Sequence, residues 1–337
     1  MTFASLDGAA PKIGSIAPPP AAQCSPPIVF ACDGAYAMQL ATTLRSVTEA
    51  NQGWWPLNIH VLVDDFPNDA RTRVLASIPE GSASLRWITV DLEPFWKFSP
   101  GEFISWMIFA RLLIPVLFPE TVNRVLYLDA DLLVLDDLGP LWDADLEGAA
   151  AGAVLDALDP LLKIGGPGLE QLPTVRNYFN SGVLLIDLAR WRQEQISERA
   201  IEYLTGHPHS LFPDQDALNV ACDGLWKALD TRWNFQNHYE TRIADMSSAD
   251  QPAIVHFVTR GKPWKASSLS VNASLYDAFR SRTCFARTRP ARLYDAVQTA
   301  WGRIKRHVRK LASASLTGLI RAFWVRTRAK PEDEPGE

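Results

Sequence analysis

Cysteine is scarce in this 337-residue chain: Cys24, Cys32, Cys222 and Cys284 are the only four, and no two form a C-x-x-C pair. That spacing fits neither a disulfide framework nor a zinc site, and a reduced, cytosolic compartment is the simpler expectation. Long apolar runs are missing as well. No stretch reaches the ~18 uninterrupted apolar residues that a spanning helix needs. The opening "MTFASLDGAAPKIGSIAPPPAAQ" lacks a basic start followed by an apolar block, so it does not read as a secretory signal. Residues 1–27 are expected to form a flexible Ala/Pro-rich leader. The sequon "NAS" at 272–274 is discounted on the same ground. No internal repeat is present.

What remains fits a soluble globular protein, with 47% apolar and 21% charged residues and enough length to bury a large core. The net charge of −5 hides an asymmetry. Residues 280–330 carry fourteen Arg/Lys and one acid, the last seven residues add four acids, and residues 1–279 stand at −14.

Apolar patterning places strands at 28–31, 57–65, 84–92, 149–156, 179–188 and 252–258, with another from 124 that continues past Asp131 to 135. Helical spacing marks residues 36–51 and 188–206. A further helix candidate at 106–119 is limited by Pro115 and Pro119. Strands alternating with helices predict an α/β fold with a largely parallel sheet. In such sheets ligands bind at the carboxyl ends of strands. Asp33, Asp129, Asp156 and His256 all stand at or just past such ends, which predicts one crevice.

The run "RVLYLDADLLVL" sets two carboxylates, Asp129 and Asp131, one residue apart inside core-like sequence. In an extended segment they point to the same side. Paired anions repel unless a cation neutralises them, and Mg²⁺ or Mn²⁺ is the natural partner. A polar turn after a strand explains the tripeptide equally well. Two enzyme classes use such a pair: haloacid-dehalogenase-like phosphatases, whose first Asp is a nucleophile, and nucleotide-sugar glycosyltransferases. Leu133 disfavours the former, which would carry a small or β-branched residue there.

Further segments, in order, choose between them: "IVFACDGAY", "FARLLIP", "VLYLDADLLV", "AAGAVLD", "YFNSGVLLIDLARWR", "FPDQDALN" and "HFVTRGKPW". Together, over roughly residues 28–265, they resemble glycosyltransferase family 8, a retaining group that includes lipopolysaccharide galactosyl- and glucosyltransferases and glycogenin. The resemblance implies a GT-A type Rossmann-like fold with a central, mostly parallel mixed sheet and a catalytic domain at 28–279. It implies transfer of a hexosyl group, galactose or glucose, from a nucleoside diphosphate sugar, a UDP-sugar by this resemblance, to a saccharide acceptor.

The same resemblance assigns roles. Asp129, Asp131 and His256 would hold Mn²⁺ or Mg²⁺. Ala31, Asp33 and Tyr36 would form the nucleotide loop. Arg111, Ala130, Asn180, Ser181, Gly182, Gly261 and Lys262 would complete the donor site, with Lys262 on the diphosphate. Asp156 and Asp214 would meet the donor sugar, and Gln215 would lie near the anomeric carbon. Read without the resemblance, Gly182 permits close approach of backbone to a ligand. "PDQDALN" also reads as a helix N-terminus, where acids are favoured. Three departures stand out. Ala35 replaces an amide residue in the nucleotide loop, Thr259 replaces a glycine, and "FISWMIF" replaces polar residues before Arg111. An inactive nucleotide-sugar-binding membrane protein is the remaining alternative, and the presence of all three metal ligands and Lys262 argues against it.

In the tail, Leu293, Val297, Trp301, Ile304, Val308, Leu311, Leu319 and Phe323 recur at helical steps among basic residues. C-terminal amphipathic helices and attachment to an anionic membrane surface are expected over 280–330, with a short acidic end at 331–337. A helix packed on the acidic body, or a dimer contact, is the bland alternative. A glycolipid acceptor and a peripheral place on the cytoplasmic face of the membrane follow from the resemblance. No nucleic-acid partner is expected, since no recognition motif accompanies the charge.

Overall fold

A computed structural model describes residues 25–288 apart from 99, 101–104, 161–171, 237–240, 259–260, 266–267 and 269. Residues 1–24 of the expected leader, the expected amphipathic tail from residue 289 onward and the acidic end lie outside the described residues.

The chain opens with β1 (Pro27–Ala31), a short 3-10 turn and α1 (Ala37–Ala50), then β2 (Leu57–Val63), α2 (Asn68–Leu75) and β3 (Ala83–Thr89). A 3-10 helix over Trp106–Leu113 leads into the short α3 (Ile114–Leu117). Pro115 explains this departure from one continuous α-helix: its ring would meet the carbonyl four residues back, so the α-helical turn begins afresh at Ile114. Next come β4 (Arg124–Leu128), β5 (Leu132–Val134), α4 (Gly139–Trp142), β6 (Ala151–Leu155) and β7 (Phe179–Asp187). The helix expected at 188–206 is two helices, α5 (Leu188–Gln193) and α6 (Ile196–Gly206). Gln195 breaks it with a left-handed backbone, φ 53°. The chain continues with α7 (Pro213–Ala221), β8 (Trp226–Ala228), β9 (Phe235–Gln236), β10 (Ile254–His256) and α8 (Ala273–Arg280).

Seven strands form the main sheet in the order β3-β2-β1-β4-β7-β6-β8. Pairing is parallel except for β7, which runs antiparallel to both β4 and β6. The fold is therefore the expected mixed α/β arrangement. Neighbouring residues face opposite sides of the sheet. Ile28, Phe30, Leu126 and Leu128 pack with α1, while Val29, Val125 and Tyr127 pack toward the layer of α5, α6 and α7. β2 is buried at every position, as a strand covered on both faces must be.

A second sheet of three strands, β5-β10-β9, sits beside the first. The expected continuous strand through Asp131 is thus divided: β4 belongs to one sheet and β5 to the other, and the two aspartates occupy the crossing.

Candidate functional site

The crossing is fixed by main-chain bonds. Asp129 N donates to Gly182 O on β7 (2.8 Å), and Phe257 N donates to Asp131 O (3.2 Å). On the α1 side the Thr43 hydroxyl lies 2.8 Å from the carbonyls of both Ala130 and Leu132. Asp129 and Asp131 therefore converge through a turn, not along the extended segment read from the sequence. Antiparallel pairing of β10 with β5 sets His256 opposite Leu132, next to that turn. One donor atom each from Asp129, Asp131 and His256 lies within 4.8 Å of the others.

The geometry of His256 tests whether a metal ion fits. Asn234 Nδ2 donates to Asn180 Oδ1 (2.8 Å), which turns Asn234 Oδ1 toward His256 Nδ1 at 3.0 Å. Nδ1 then carries a proton, and Nε2 is the nitrogen left to face the carboxylates. Nε2 lies 3.1 Å from Asp131 Oδ1 and 3.6 Å from Asp129 Oδ2. A proton on Nε2 bridges to Asp131, and a divalent cation among the three groups can take that proton's place. Two carboxylates and an imidazole, with the second imidazole nitrogen anchored, suit a divalent ion.

Positive charge already surrounds the pair. Lys262 Nζ donates to Asp131 Oδ2 (2.6 Å) and to Phe257 O. Burial opposes ionisation of Asp131, but Lys262 and His256 outweigh it and hold the carboxyl well below the usual range. Asp129 Oδ1 accepts from Tyr127 OH (2.8 Å) and Arg111 Nη2 (3.0 Å). Arg111 is buried, yet Asp129, Tyr127 and Asp214 raise its pKa and keep it charged. Its Nη1 donates to Ser181 O and Oγ, both at 2.8 Å, and lies 3.2 Å from Asp214 Oδ2. Burial pushes the Asp214 carboxyl up, against the pull of Arg111.

A second cluster adjoins the first. Asp156 Oδ2 accepts from Asn180 Nδ2 (2.9 Å) and Gln215 Nε2 (3.2 Å), and its Oδ1 accepts from Leu158 N (2.8 Å). Gln215 Oε1 accepts from Ser181 N (3.0 Å). The "PDQDALN" segment is indeed the first turn of a helix, α7, and Asp216 beneath it accepts from Tyr178, Ser210 and Phe212 N.

The predicted nucleotide loop leaves β1 at Ala31. Asp33 Oδ1 accepts from Ala35 N (3.1 Å) and caps the turn Gly34–Tyr36. Burial, then Asp131, Asp129 and Asp33, raise the Tyr36 hydroxyl's pKa, so it stays protonated beside these carboxylates. The Tyr36 ring meets Trp264 edge-on at 6.2 Å, two residues after Lys262. Gly261, at the start of this loop, accepts at its carbonyl from Ser268 Oγ (3.2 Å).

The structure thus brings Asp129, Asp131, His256, Lys262, Arg111, Ser181, Gly182, Asn180, Asp156, Asp214 and Gln215 into one connected network, with Tyr36 beside it. Gly182 has a further role that the sequence did not show. A Cβ there would lie 2.1 Å from His256 Cε1 and 2.7 Å from Asp129 Oδ2, so it makes room for the protein's own side chains. Sequence reading passed over Tyr127, Thr43 and Asn234. Tyr127 carried a signal: it is the one hydroxyl in an apolar strand, two residues before Asp129 and hence on the same face. Asn234 carried none.

Residues 27–268 match the sequence model of glycosyl transferase family 8, well over half the chain. The chain belongs to that family. This membership sets aside the phosphatase alternative. General stress protein A of Bacillus subtilis (strain 168) is 28% identical over 260 residues, covering 72% of this chain and 88% of that protein. Lipopolysaccharide 1,2-glucosyltransferase of Escherichia coli (strain K12) is 23% identical over 258 residues, covering 74% and 75% respectively. The chain spans about six tenths of the length of two other curated relatives, the glycosyltransferases GlyF and GlyB of Streptococcus pneumoniae. Among solved structures, galactosyltransferase LgtC in complex with donor and acceptor sugar analogues superposes with a TM-score of 0.66 at 28% identity, covering 79% of this chain and 99% of LgtC. The family 8 chain described here therefore has the same GT-A fold. Among the described residues no helix is long and apolar enough to cross a membrane.

Proposed function

We propose that this family 8 protein moves a hexosyl group, galactose or glucose, from a UDP-sugar to a saccharide acceptor, with retention at the anomeric carbon and with Mn²⁺ or Mg²⁺ bound. The observation that carries this reading is His256 Nε2 set between the Asp129 and Asp131 carboxylates beside Lys262. The activities for which two of the relatives are named, glucosyl and galactosyl transfer, support the hexosyl part.

Asp129, Asp131 and His256 would hold the ion, which when bound supplies Lewis-acid stabilisation of a leaving diphosphate. Lys262 adds a second positive contact to that charge. Asp156, Asp214 and Arg111 orient the sugar, and Asn180, Ser181 and Gly182 form the floor. In the proposed step the bond from the anomeric carbon to the diphosphate oxygen breaks and the acceptor oxygen bonds on the same face. The acceptor proton passes to the departing diphosphate. Asp156 and Asp214 are both tied into hydrogen bonds, which suits orientation better than nucleophilic attack. Gln215 Oε1 accepts from Ser181 N at 3.0 Å and lies 3.4 Å from the Ser181 hydroxyl, and its partial negative charge can face developing positive charge.

The test is a panel of nucleotide sugars incubated with and without Mn²⁺. Metal-dependent hydrolysis of one donor, and with acceptor an α-linked product from an α-linked donor, are expected. A β anomeric proton coupling in the product's NMR spectrum overturns retention. Binding of donor with no turnover under any condition favours the inactive alternative.

We further propose that the acceptor is lipid-borne and that the basic tail attaches the protein to an anionic membrane surface on the cytoplasmic side. Each basic residue near such a leaflet contributes on the order of 1 kcal/mol, so several give salt-sensitive attachment. Residues 282–287 pack on the body, so the informative truncation ends at Thr288. In sedimentation with anionic liposomes at low salt, the full chain should pellet and the truncated chain should stay in solution. Equal behaviour removes the tail as the anchor.

A further inference from the structure

We propose that Arg287 is a positioning residue that clamps the loop carrying Lys262 and thereby sets affinity for the donor diphosphate. This rests on the reading of Lys262 as a diphosphate contact. The clamp is built from outside the site. After α8 the chain folds over the far end of α1, where Arg282 pairs with both carboxylate oxygens of Glu49 at 2.9 and 2.6 Å. Cys284 N donates to Ser77 Oγ (3.0 Å), and the Arg73 guanidinium lies 4.0 Å from the centre of the Phe285 ring. The chain then returns toward the site. Arg287 pairs with Asp277 Oδ2 on α8 (3.1 Å) and donates through its other terminal nitrogen to Trp264 O (3.0 Å). Its side chain is only 14% exposed.

Trp264 belongs to a turn closed by Lys265 N donating to Lys262 O at 3.1 Å. Its ring packs 5.3 Å from Tyr276 on α8 and stands 5.6 Å from Lys262 Nζ. The turn is thus held on α8 twice, by the indole ring and by the carbonyl that Arg287 caps. A lysine stem has many rotamers and does not locate its own charge. Where the ammonium falls depends on the backbone turn, and Arg287 fixes that turn.

The experiment titrates the full-length protein with UDP in the presence of Mn²⁺ by calorimetry. Arg287→Ala should weaken UDP about tenfold, and Arg287→Lys, which can keep one of the two bonds, should recover part of the loss. Steady-state kinetics should show a raised donor KM with kcat largely kept. In the Lys262→Ala background, Arg287→Ala should weaken UDP no further, because the charge it positions is gone. If Arg287→Ala does not fold, Asp277→Asn loosens the same clamp and should give a smaller loss in the same direction. Unchanged UDP affinity in these variants, or a full tenfold loss in the Lys262→Ala background, overturns the proposal. Failure of the wild-type protein itself to bind UDP removes the donor reading instead, and the Arg287 assignment with it.

Discussion

Asp131→Asn is expected to abolish glycosyl transfer while the protein remains folded. The amide keeps the shape of the side chain and loses the charge. Asp131 meets His256 Nε2 at 3.1 Å through one oxygen and Lys262 Nζ at 2.6 Å through the other. Losing it therefore removes one proposed metal ligand and frees Lys262 from its carboxylate partner. Mutating an outer partner of a metal ligand costs about 10–100-fold, so loss of a ligand should exceed about a hundredfold. Lys262 is left partly buried and unpaired, and breaking a buried pair costs about 3–5 kcal/mol. That is survivable for a domain stable by about 5–15 kcal/mol, with a melting temperature lowered by some ten degrees, at about 2–4 °C per kcal/mol. Circular dichroism would check the fold, and Mn²⁺ titration the metal. Near-full, Mn²⁺-stimulated activity in Asp131→Asn would show that the ion, if any, binds elsewhere.

How much of this was legible in the sequence differs from element to element. The strands announced themselves because short apolar runs, residues 125–128 in β4 and 183–186 in β7, bury both faces of a covered sheet. Their direction did not. "FNSGVLLID" fits a strand of either sense, and in an all-parallel sheet Asn180–Gly182 would lie at the edge opposite Asp129. Only the antiparallel pairing of Val183 with Leu128 carries them to the site. The break at Gln195 had no glycine or proline to mark it. The two aspartates were found, but for an incomplete reason. Their convergence comes from a change of sheet at Ala130, which depends on Thr43 more than eighty residues earlier. His256 was placed by family resemblance, whereas its working nitrogen is fixed by Asn234, a residue with no local signature. Local pattern tells which residues enter the core. Which polar groups meet across it is set by topology.

Gly182→Ala should be nearly as damaging as loss of a ligand, although it adds a single methyl group. An ideal Cβ at Gly182 falls 2.1 Å from His256 Cε1, 2.7 Å from His256 Nδ1 and 2.7 Å from Asp129 Oδ2. Carbon atoms in contact sit about 3.5–4.0 Å apart, so the imidazole would have to retreat by more than 1 Å. It has nowhere cheap to go. Strand β10 fixes its backbone against β5, and Asn234, itself held by Asn180, fixes its Nδ1. Asp129 is pinned by Tyr127 and Arg111. Overpacking of this kind costs about 1–3 kcal/mol of stability, a modest drop in melting temperature, but it displaces two of the three proposed ligands at once. Mn²⁺ affinity and donor turnover should both fall by more than about a hundredfold, the outer-partner scale again being the lower bound. Gly53→Ala, where nothing lies within 4 Å, is the control and should change neither. The partner experiment is His256→Ala with Gly182→Ala. With the ring gone, the added methyl should cost much less stability than it does in the wild-type background, while turnover stays low. Unchanged Mn²⁺ affinity in Gly182→Ala would mean that His256 can leave its position freely, and a residue so loosely held could not be the third ligand.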